Sequence, residues 1–126
     1  MSFLFPKQSK YKNRKTSDGD RSYMSQGERD CAHYLRLREK VGEIRDLQFQ
    51  VSVRLGPNSR RWVLDFKYFD TLRGCDIYAD FKGFETDRWK HLLDLWALEG
   101  PGPLLVYKGR GLRMEIAQEV LRKERT

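Results

Sequence analysis

Apolar residues that recur at every second position predict strands in the middle of the chain. From Leu47 to Leu55, apolar and polar residues alternate, which is typical of a strand with one buried face. A turn-forming segment at 56–59 separates this strand from an apolar run at 60–69, so the two are expected to form a hairpin. A second turn leads into a third strand at 75–83. The pattern therefore predicts an antiparallel meander of three strands.

Sequence signals of helices occur before and after this meander. Ser25, with Glu28 three residues later, is a capping box, and it predicts the start of a helix that runs to about Val41. A second helix is expected to begin at Thr86, because apolar residues then recur at the spacing of one helix face. That helix should end at the Gly-Pro-Gly segment 100–102.

The C-terminal part of the chain predicts one more strand and one more helix. An apolar run at 103–107 is expected to be a strand covered on both faces. Because a helix connects it to the third strand, the two strands should be parallel neighbours. Apolar residues between Leu112 and about Lys123 favour a last helix.

Length and composition indicate one basic domain. The chain has 126 residues, 39% of them hydrophobic, and a formal net charge of +7, which points first to an anionic partner such as nucleic acid. A merely soluble basic domain is the alternative. We predict an α/β fold with a central mixed sheet of about four strands flanked by helices at 25–126, preceded by a basic arm at 1–24. Two cysteines are too few for a disulfide framework or a zinc site, and a cytoplasmic protein is expected.

Acidic residues interrupt the apolar pattern at three positions. Glu28 ends a buried stripe of the first helix, Asp65 lies within an apolar strand, and Asp80 shares a strand face with Lys82. A buried carboxylate is costly unless a cation or hydrogen-bond donors compensate it. Oxygen ligands of this kind suit Mg²⁺ or Mn²⁺, and the ammonium group of Lys82 could orient a water or stabilise charge on a phosphate. The alternatives are that Glu28 only caps its helix and that Asp65 and Lys82 form a cross-strand ion pair.

This order of elements and acids resembles the PD-(D/E)XK nuclease superfamily. Its pattern is matched by Asp65 on the second strand and by Asp80-Phe81-Lys82 on the third, although Leu64 stands where the name motif has proline. A closer resemblance covers roughly residues 9 to 107 and is to a family of small phage-encoded proteins of this superfamily. It depends on the segments 9–16, 25–37, 42–50 and 65–68, and on 80–83 followed by Thr86.

The resemblance implies a fold and a set of site residues. The fold is a restriction-endonuclease-like domain with an αβββαβ core, and the implied catalytic residues are Glu28, Asp65, Asp80 and Lys82. The metal, Mg²⁺ or Mn²⁺, would be bound by Asp65, Asp80, Glu28 and the backbone carbonyl of Phe81. The last 19 residues lie outside the resemblance.

The expected function is Mg²⁺-dependent endodeoxyribonuclease activity in phage recombination, replication or packaging. Branched DNA such as a Holliday junction is a plausible substrate, and a homodimer would supply two sites for a two-strand cut. The expected location is the cytoplasm of a phage-infected or prophage-carrying bacterial host. The alternatives are a non-catalytic DNA-binding protein on the same fold, and an exonuclease or nicking nuclease.

DNA contacts are expected from two parts of the chain. The basic arm offers phosphate contacts, although a solvated tail explains its composition equally well. On the second helix, a phosphate contact and a solvated lysine are both open for Lys90. The predicted DNA-binding residues are Lys10, Lys12, Arg14, Lys15 and Lys90.

Overall fold

The computed structural model describes residues 16–18, 21–23, 25–56, 61–83 and 85–123. These residues form two helices, two short N-terminal strands and a five-stranded sheet. In chain order the elements are β1 (Thr16–Asp18), β2 (Arg21–Tyr23), α1 (Gln26–Lys40), β3 (Ile44–Arg54), β4 (Arg61–Asp70), β5 (Cys75–Phe81), α2 (Asp87–Glu99), β6 (Leu104–Lys108) and β7 (Glu115–Val120).

The main sheet is mixed, with strand order β3-β4-β5-β6-β7. Strands β3, β4 and β5 pair antiparallel in sequence order, so the predicted meander is confirmed. Strand β6 follows α2 and pairs parallel with β5, which confirms the predicted parallel neighbours. The protein is therefore an α/β domain with a mixed sheet and two helices.

The prediction of a last helix at Leu112–Lys123 is wrong, and so is the estimate of about four strands. A short 3-10 turn at Gly111–Arg113 is followed by β7, which pairs antiparallel with β6 along the edge of the sheet. The apolar residues of this segment are too widely scattered to decide between a helix and a strand. Backbone hydrogen bonding to the edge of β6 decides in favour of the strand.

Both helices begin at the predicted caps. The Ser25 hydroxyl accepts a hydrogen bond from the Glu28 backbone N–H at 3.0 Å, which fixes the first turn of α1. The Thr86 hydroxyl accepts one from the Trp89 backbone N–H at 3.1 Å and does the same for α2. These caps set the positions of Glu28 and Trp89, each three residues after its cap.

The apolar core has two halves, one on each face of the sheet. Residues of α1 pack with Phe66, Ile77 and Tyr107, whereas residues of α2 pack with Leu64 and Leu104. Successive residues of β6 alternate between the two halves, as expected for a strand covered on both faces. The sheet thus lies between α1 and α2. Neither of the helices formed by the described residues is long and apolar enough to cross a membrane.

The alternation of side chains is interrupted midway along β3 and β4. Although Leu64 and Phe66 are two residues apart, Leu64 belongs to the α2 half of the core and Phe66 to the α1 half. Gln50 and Asp65 lie between the paired positions Phe49–Phe66 and Val51–Leu64, and Gln50 has a positive φ of 54°. Positive φ is uncommon for a residue other than glycine, and such positions are concentrated at functional sites. The sheet is therefore irregular at Asp65.

Part of the predicted N-terminal arm forms a two-stranded sheet. Strands β1 and β2 pair antiparallel with each other and lie beside α1. The other residues of the arm, including the predicted DNA-binding residues Lys10, Lys12, Arg14 and Lys15, lie outside the described residues.

Helix α1 approaches β5 closely because residue 27 is glycine. A Cβ atom at Gly27 would overlap the ring of Phe81. Overpacking usually costs about 1–3 kcal/mol, and alanine gains roughly 1 kcal/mol over glycine in a helix. We predict that Gly27→Ala lowers the free energy of unfolding by about 1–2 kcal/mol, because the Cβ atom would overlap the Phe81 ring and the overpacking cost is therefore at the upper end of its range.

Urea denaturation followed by circular dichroism measures the change. The matched control is Gly83→Ala, because a Cβ atom at Gly83 has no neighbouring atom within 4 Å. The control should change stability by less than about 0.5 kcal/mol. A Gly27→Ala protein as stable as the control would show that the contact between α1 and Phe81 is not tight.

Candidate active site

Strands β4 and β5 separate at the position of the two predicted acids. Their antiparallel register extends from Asp70 and Cys75 to Phe66 and Ala79. Beyond that pair, β4 continues along β3, while β5 continues along β6 as far as Phe81. The divergence leaves a fork in the sheet, with Asp65 on one branch and Asp80 on the other.

Each acid at the fork accepts a hydrogen bond from the backbone of the opposite strand. The Asp65 N–H donates to Asp80 Oδ1 at 2.7 Å, and the Phe81 N–H donates to Asp65 Oδ2 at 2.9 Å. Asp80 is only 3% exposed. These bonds compensate part of the cost of burying the carboxylates and hold the two acids against each other.

Glu28 approaches the same fork from α1. It lies in the first turn of the helix and is 8% exposed, and its Oε2 is 3.4 Å from Gln50 Nε2. Gln50 in turn lies between Phe49 and Val51, whose partners on β4 flank Asp65. The close contact between Gly27 and the Phe81 ring holds this turn of the helix against the end of β5. The structure therefore brings together all three predicted acids.

The proton affinities of neighbouring groups reflect this concentration of negative charge. Burial, and then the charges of Asp80 and Glu28, raise the pKa of Asp65 well above its usual range. The pKa of the buried Cys31 thiol is raised by burial and by the charges of the same three carboxylates. Asp65, Asp80 and Glu28 thus act electrostatically as one cluster.

Lys82 lies beside this cluster, on the α2 side of the sheet. Its Nζ is 3.1 Å from Asp80 Oδ2 and 4.4 Å from the centre of the Trp89 ring. The predicted alternative of a cross-strand ion pair named Asp65 as the partner, whereas the observed ion pair is with Asp80 on the same strand. The Lys82 backbone N–H donates to the Tyr107 carbonyl at 3.1 Å, which extends the parallel pairing past Phe81.

The donor set fits a hard divalent cation in its chemistry. Three carboxylates converge, and the ammonium of Lys82 contacts one of them, Asp80. Within the described part of the chain, however, no three Asp, Glu, His or Cys side chains already have a metal-binding arrangement. One oxygen of each fork acid accepts a backbone N–H, which leaves acceptor sites on the second oxygen of each carboxylate for a cation.

A groove of about 340 Å³ opens on the α2 side of the fork. Asp80 and Lys82 line it together with residues from the start of β4 and the first turns of α2. Sequence reasoning did not identify the groove, because its lining residues have no shared spacing and depend on where α2 packs. The additional lining residues are Arg61, Trp62, Val63, Thr86, Arg88, Trp89 and Leu92.

Lys90, the predicted DNA-binding residue of α2, is exposed. It is not among the residues that line the groove. Its neighbours Arg88 and Trp89 do line the groove, so the second helix contributes to this region through different residues from the predicted one. The role of Lys90 stays a prediction.

The raised pKa of Asp65 generates a test in metal-free buffer. Because Asp65 binds its proton more tightly in the folded state, its stabilising contribution is present below its ordinary pKa and is lost as pH rises through the raised value. Asp80→Asn keeps an oxygen for the Asp65 N–H but removes the charge. We predict that this variant lowers the pKa of Asp65 toward its ordinary range and weakens the loss of stability with rising pH.

Carbon-detected NMR of the aspartate carboxyl groups in the presence of EDTA measures this pKa. The control is Asp94→Asn, which removes an exposed acid of α2. An Asp65 pKa that is the same in both variants would contradict the interaction between the two fork acids.

No protein-family model, curated protein or solved structure matches the chain. The geometry of the site and the chemistry of its residues are therefore the basis of the functional proposal that follows.

Proposed function

We propose that the protein is a Mg²⁺-dependent endodeoxyribonuclease of the PD-(D/E)XK type. The observation that supports this most strongly is the convergence of Asp65, Asp80 and Glu28 at the fork, with Lys82 Nζ 3.1 Å from Asp80. Oxygen-only acidic clusters with an adjacent lysine have the properties that metal-dependent phosphodiester hydrolysis requires.

The order of elements supports the proposed fold family. Helix α1, the meander β3–β5, helix α2 and strand β6 follow the αβββαβ order expected for a restriction-endonuclease-like core. Each acid occupies the element on which the resemblance expects it, namely α1 for Glu28, β4 for Asp65 and β5 for Asp80. Strand β7 then extends the sheet beyond that core.

The residues at the fork would have two roles, cation binding and charge stabilisation. Asp65, Asp80, Glu28 and the carbonyl of Phe81 would hold Mg²⁺ or Mn²⁺, which when bound lowers the pKa of a water and neutralises charge on the phosphate. Lys82 would orient the attacking water or stabilise the negative charge that develops on the phosphate oxygens. Its contacts with Asp80 and Trp89 limit the positions that its ammonium group can take.

Net charge and size suggest the substrate and the assembly. A formal charge of +7 favours association with DNA through its phosphates. A chain of 126 residues with one site would need a second copy to cut two strands, so a homodimer with two-fold symmetry would suit a Holliday junction or other branched DNA. Phage recombination, replication or packaging is the proposed setting.

One observation favours a non-catalytic alternative, a DNA-binding protein on the same fold. In the described part of the chain the acids have no preformed metal-binding arrangement, and they already bond to backbone N–H groups. Such a protein would bind DNA equally well with and without Mg²⁺, and Asp80→Asn would leave that binding unchanged. Exonuclease or nicking activity is separated from endonuclease activity by comparing the products from circular and linear DNA.

We predict that the protein cuts supercoiled plasmid or a synthetic four-way junction in Mg²⁺ and that EDTA stops the reaction. Asp80→Asn should remove detectable cutting, because it removes a charged cation ligand. Lys82→Gln should lower the rate by roughly 10²-fold or more, the usual effect of losing a group that stabilises transition-state charge.

The matched control for these variants is Asp94→Asn, which changes an exposed acid of α2 and should cut at the wild-type rate. Circular dichroism would confirm that every variant is folded. If no divalent metal supports cutting by the wild-type protein, or if Asp80→Asn cuts as fast as Asp94→Asn, the nuclease proposal is wrong.

A further inference from the structure

The groove beside the fork has properties that the cleavage reaction alone does not require. It begins at Asp80 and Lys82 and continues between the start of β4 and the first turns of α2. Its volume of about 340 Å³ is close to that of a pocket for a small ligand, and is much too small to enclose a DNA duplex. Whatever occupies the groove therefore enters as a narrow chain or a single group.

Positive charge is concentrated along this groove. Arg61 and Arg88 line it together with Lys82, and both arginines are exposed. Arg61 also lies directly opposite Arg54 in the pairing of β3 and β4. Cations that line a groove favour an anionic ligand such as a phosphate.

Aromatic rings lie among these cations. The guanidinium of Arg88 is 5.1 Å from the centre of the Trp62 ring, and Lys82 Nζ is 4.4 Å from the centre of the Trp89 ring. Grooves that combine cations with aromatic rings are typical of single-stranded nucleic-acid binding, in which the cations contact phosphates and the bases stack on the rings. Trp62 is only half-buried, so it is the better candidate for stacking than the buried Trp89.

A further feature of the groove is the pair of indole N–H groups on its two tryptophans. Trp62 Nε1 and Trp89 Nε1 are buried, and neither has a hydrogen-bond acceptor in the described part of the chain. A buried donor without an acceptor is costly. Nucleotides are rich in acceptor oxygens, so a strand in the groove could satisfy these donors after small side-chain shifts.

We propose that this groove binds an unpaired DNA strand next to the scissile phosphate. In this assignment, a base stacks on Trp62, Arg61 and Arg88 contact the phosphates, and the strand leads to Asp80 and Lys82. The identification of the strand as substrate rests on the proposed nuclease function. The strand-binding property itself does not, and it can be measured without metal.

The test compares the affinities of a labelled oligo-dT and a blunt duplex of equal length, by fluorescence anisotropy in EDTA. Trp62→Ala should weaken oligo-dT binding by at least about five-fold, the lower end of the loss expected for one base stack. Arg88→Ala should weaken it by a similar factor, because it removes a charged contact to a phosphate. Trp62→Phe should lose less affinity than Trp62→Ala, because it keeps a ring on which a base can stack although it lacks the indole N–H. Duplex binding should change no more than in the control.

The control is Lys40→Ala, which removes an exposed cation at the C-terminal end of α1, away from the groove. If Trp62→Ala does not fold, Arg88→Ala still tests strand binding by the groove. Arg88 is exposed, so its replacement should not prevent folding. The proposal is overturned if Arg88→Ala weakens oligo-dT binding no more than Lys40→Ala, or if it weakens oligo-dT and duplex binding equally.

A second experiment distinguishes the nuclease proposal from the strand-binding proposal. In Mg²⁺, a duplex that has one unpaired arm should be cut faster than a fully paired duplex, and Arg88→Ala should reduce that preference. Oligo-dT binding with the expected variant effects but no cutting would overturn the nuclease function and support the strand-binding groove. Equal cutting of both substrates by the wild type would overturn the groove's role and leave the nuclease function standing.

Discussion

Two hydrogen bonds between side chains and backbone hold the fork between β4 and β5. Where regular pairing of the two strands ends, the Asp65 N–H donates to the Asp80 carboxylate and the Phe81 N–H donates to the Asp65 carboxylate. The acids thus satisfy backbone groups that would otherwise be costly to bury. The same arrangement concentrates negative charge, which with burial raises the pKa of Asp65. One local constraint therefore both shapes the sheet and concentrates the negative charge on which the proposed cation site depends.

Helices α1 and α2 cover opposite faces of the sheet, and each places a side chain beside the fork. On one face, the absence of a side chain at Gly27 lets α1 approach Phe81, so that Glu28 reaches the fork. On the other face, the cap at Thr86 fixes the first turn of α2, and Trp89 then packs against Lys82. The acids and the lysine are thus held by rigid elements, which is the property that a catalytic site needs.

Much of the fold followed from the sequence, because strong local signals agreed with the tertiary structure. The caps at Ser25 and Thr86 and the period-two pattern from Leu47 predicted elements that the structure confirms. Strand β7 was missed because its pairing with β6, and not its own weak periodicity, determines its conformation. The site acids were identifiable because carboxylates in apolar runs need a partner. The groove residues Trp62 and Arg88 were not, since only the packing of α2 brings them together.

Mn²⁺ binding tests the central claim most directly, because it detects the cation site independently of any DNA substrate. Isothermal titration calorimetry would compare the wild-type protein with Asp65→Asn and with Asp94→Asn as the control. If the fork binds a cation, the wild type and Asp94→Asn bind Mn²⁺ with equal affinity, Mg²⁺ competes for the site, and Asp65→Asn does not bind Mn²⁺ there. Absence of Mn²⁺ binding by the wild type, or equal binding by Asp65→Asn, would contradict a cation site at the fork.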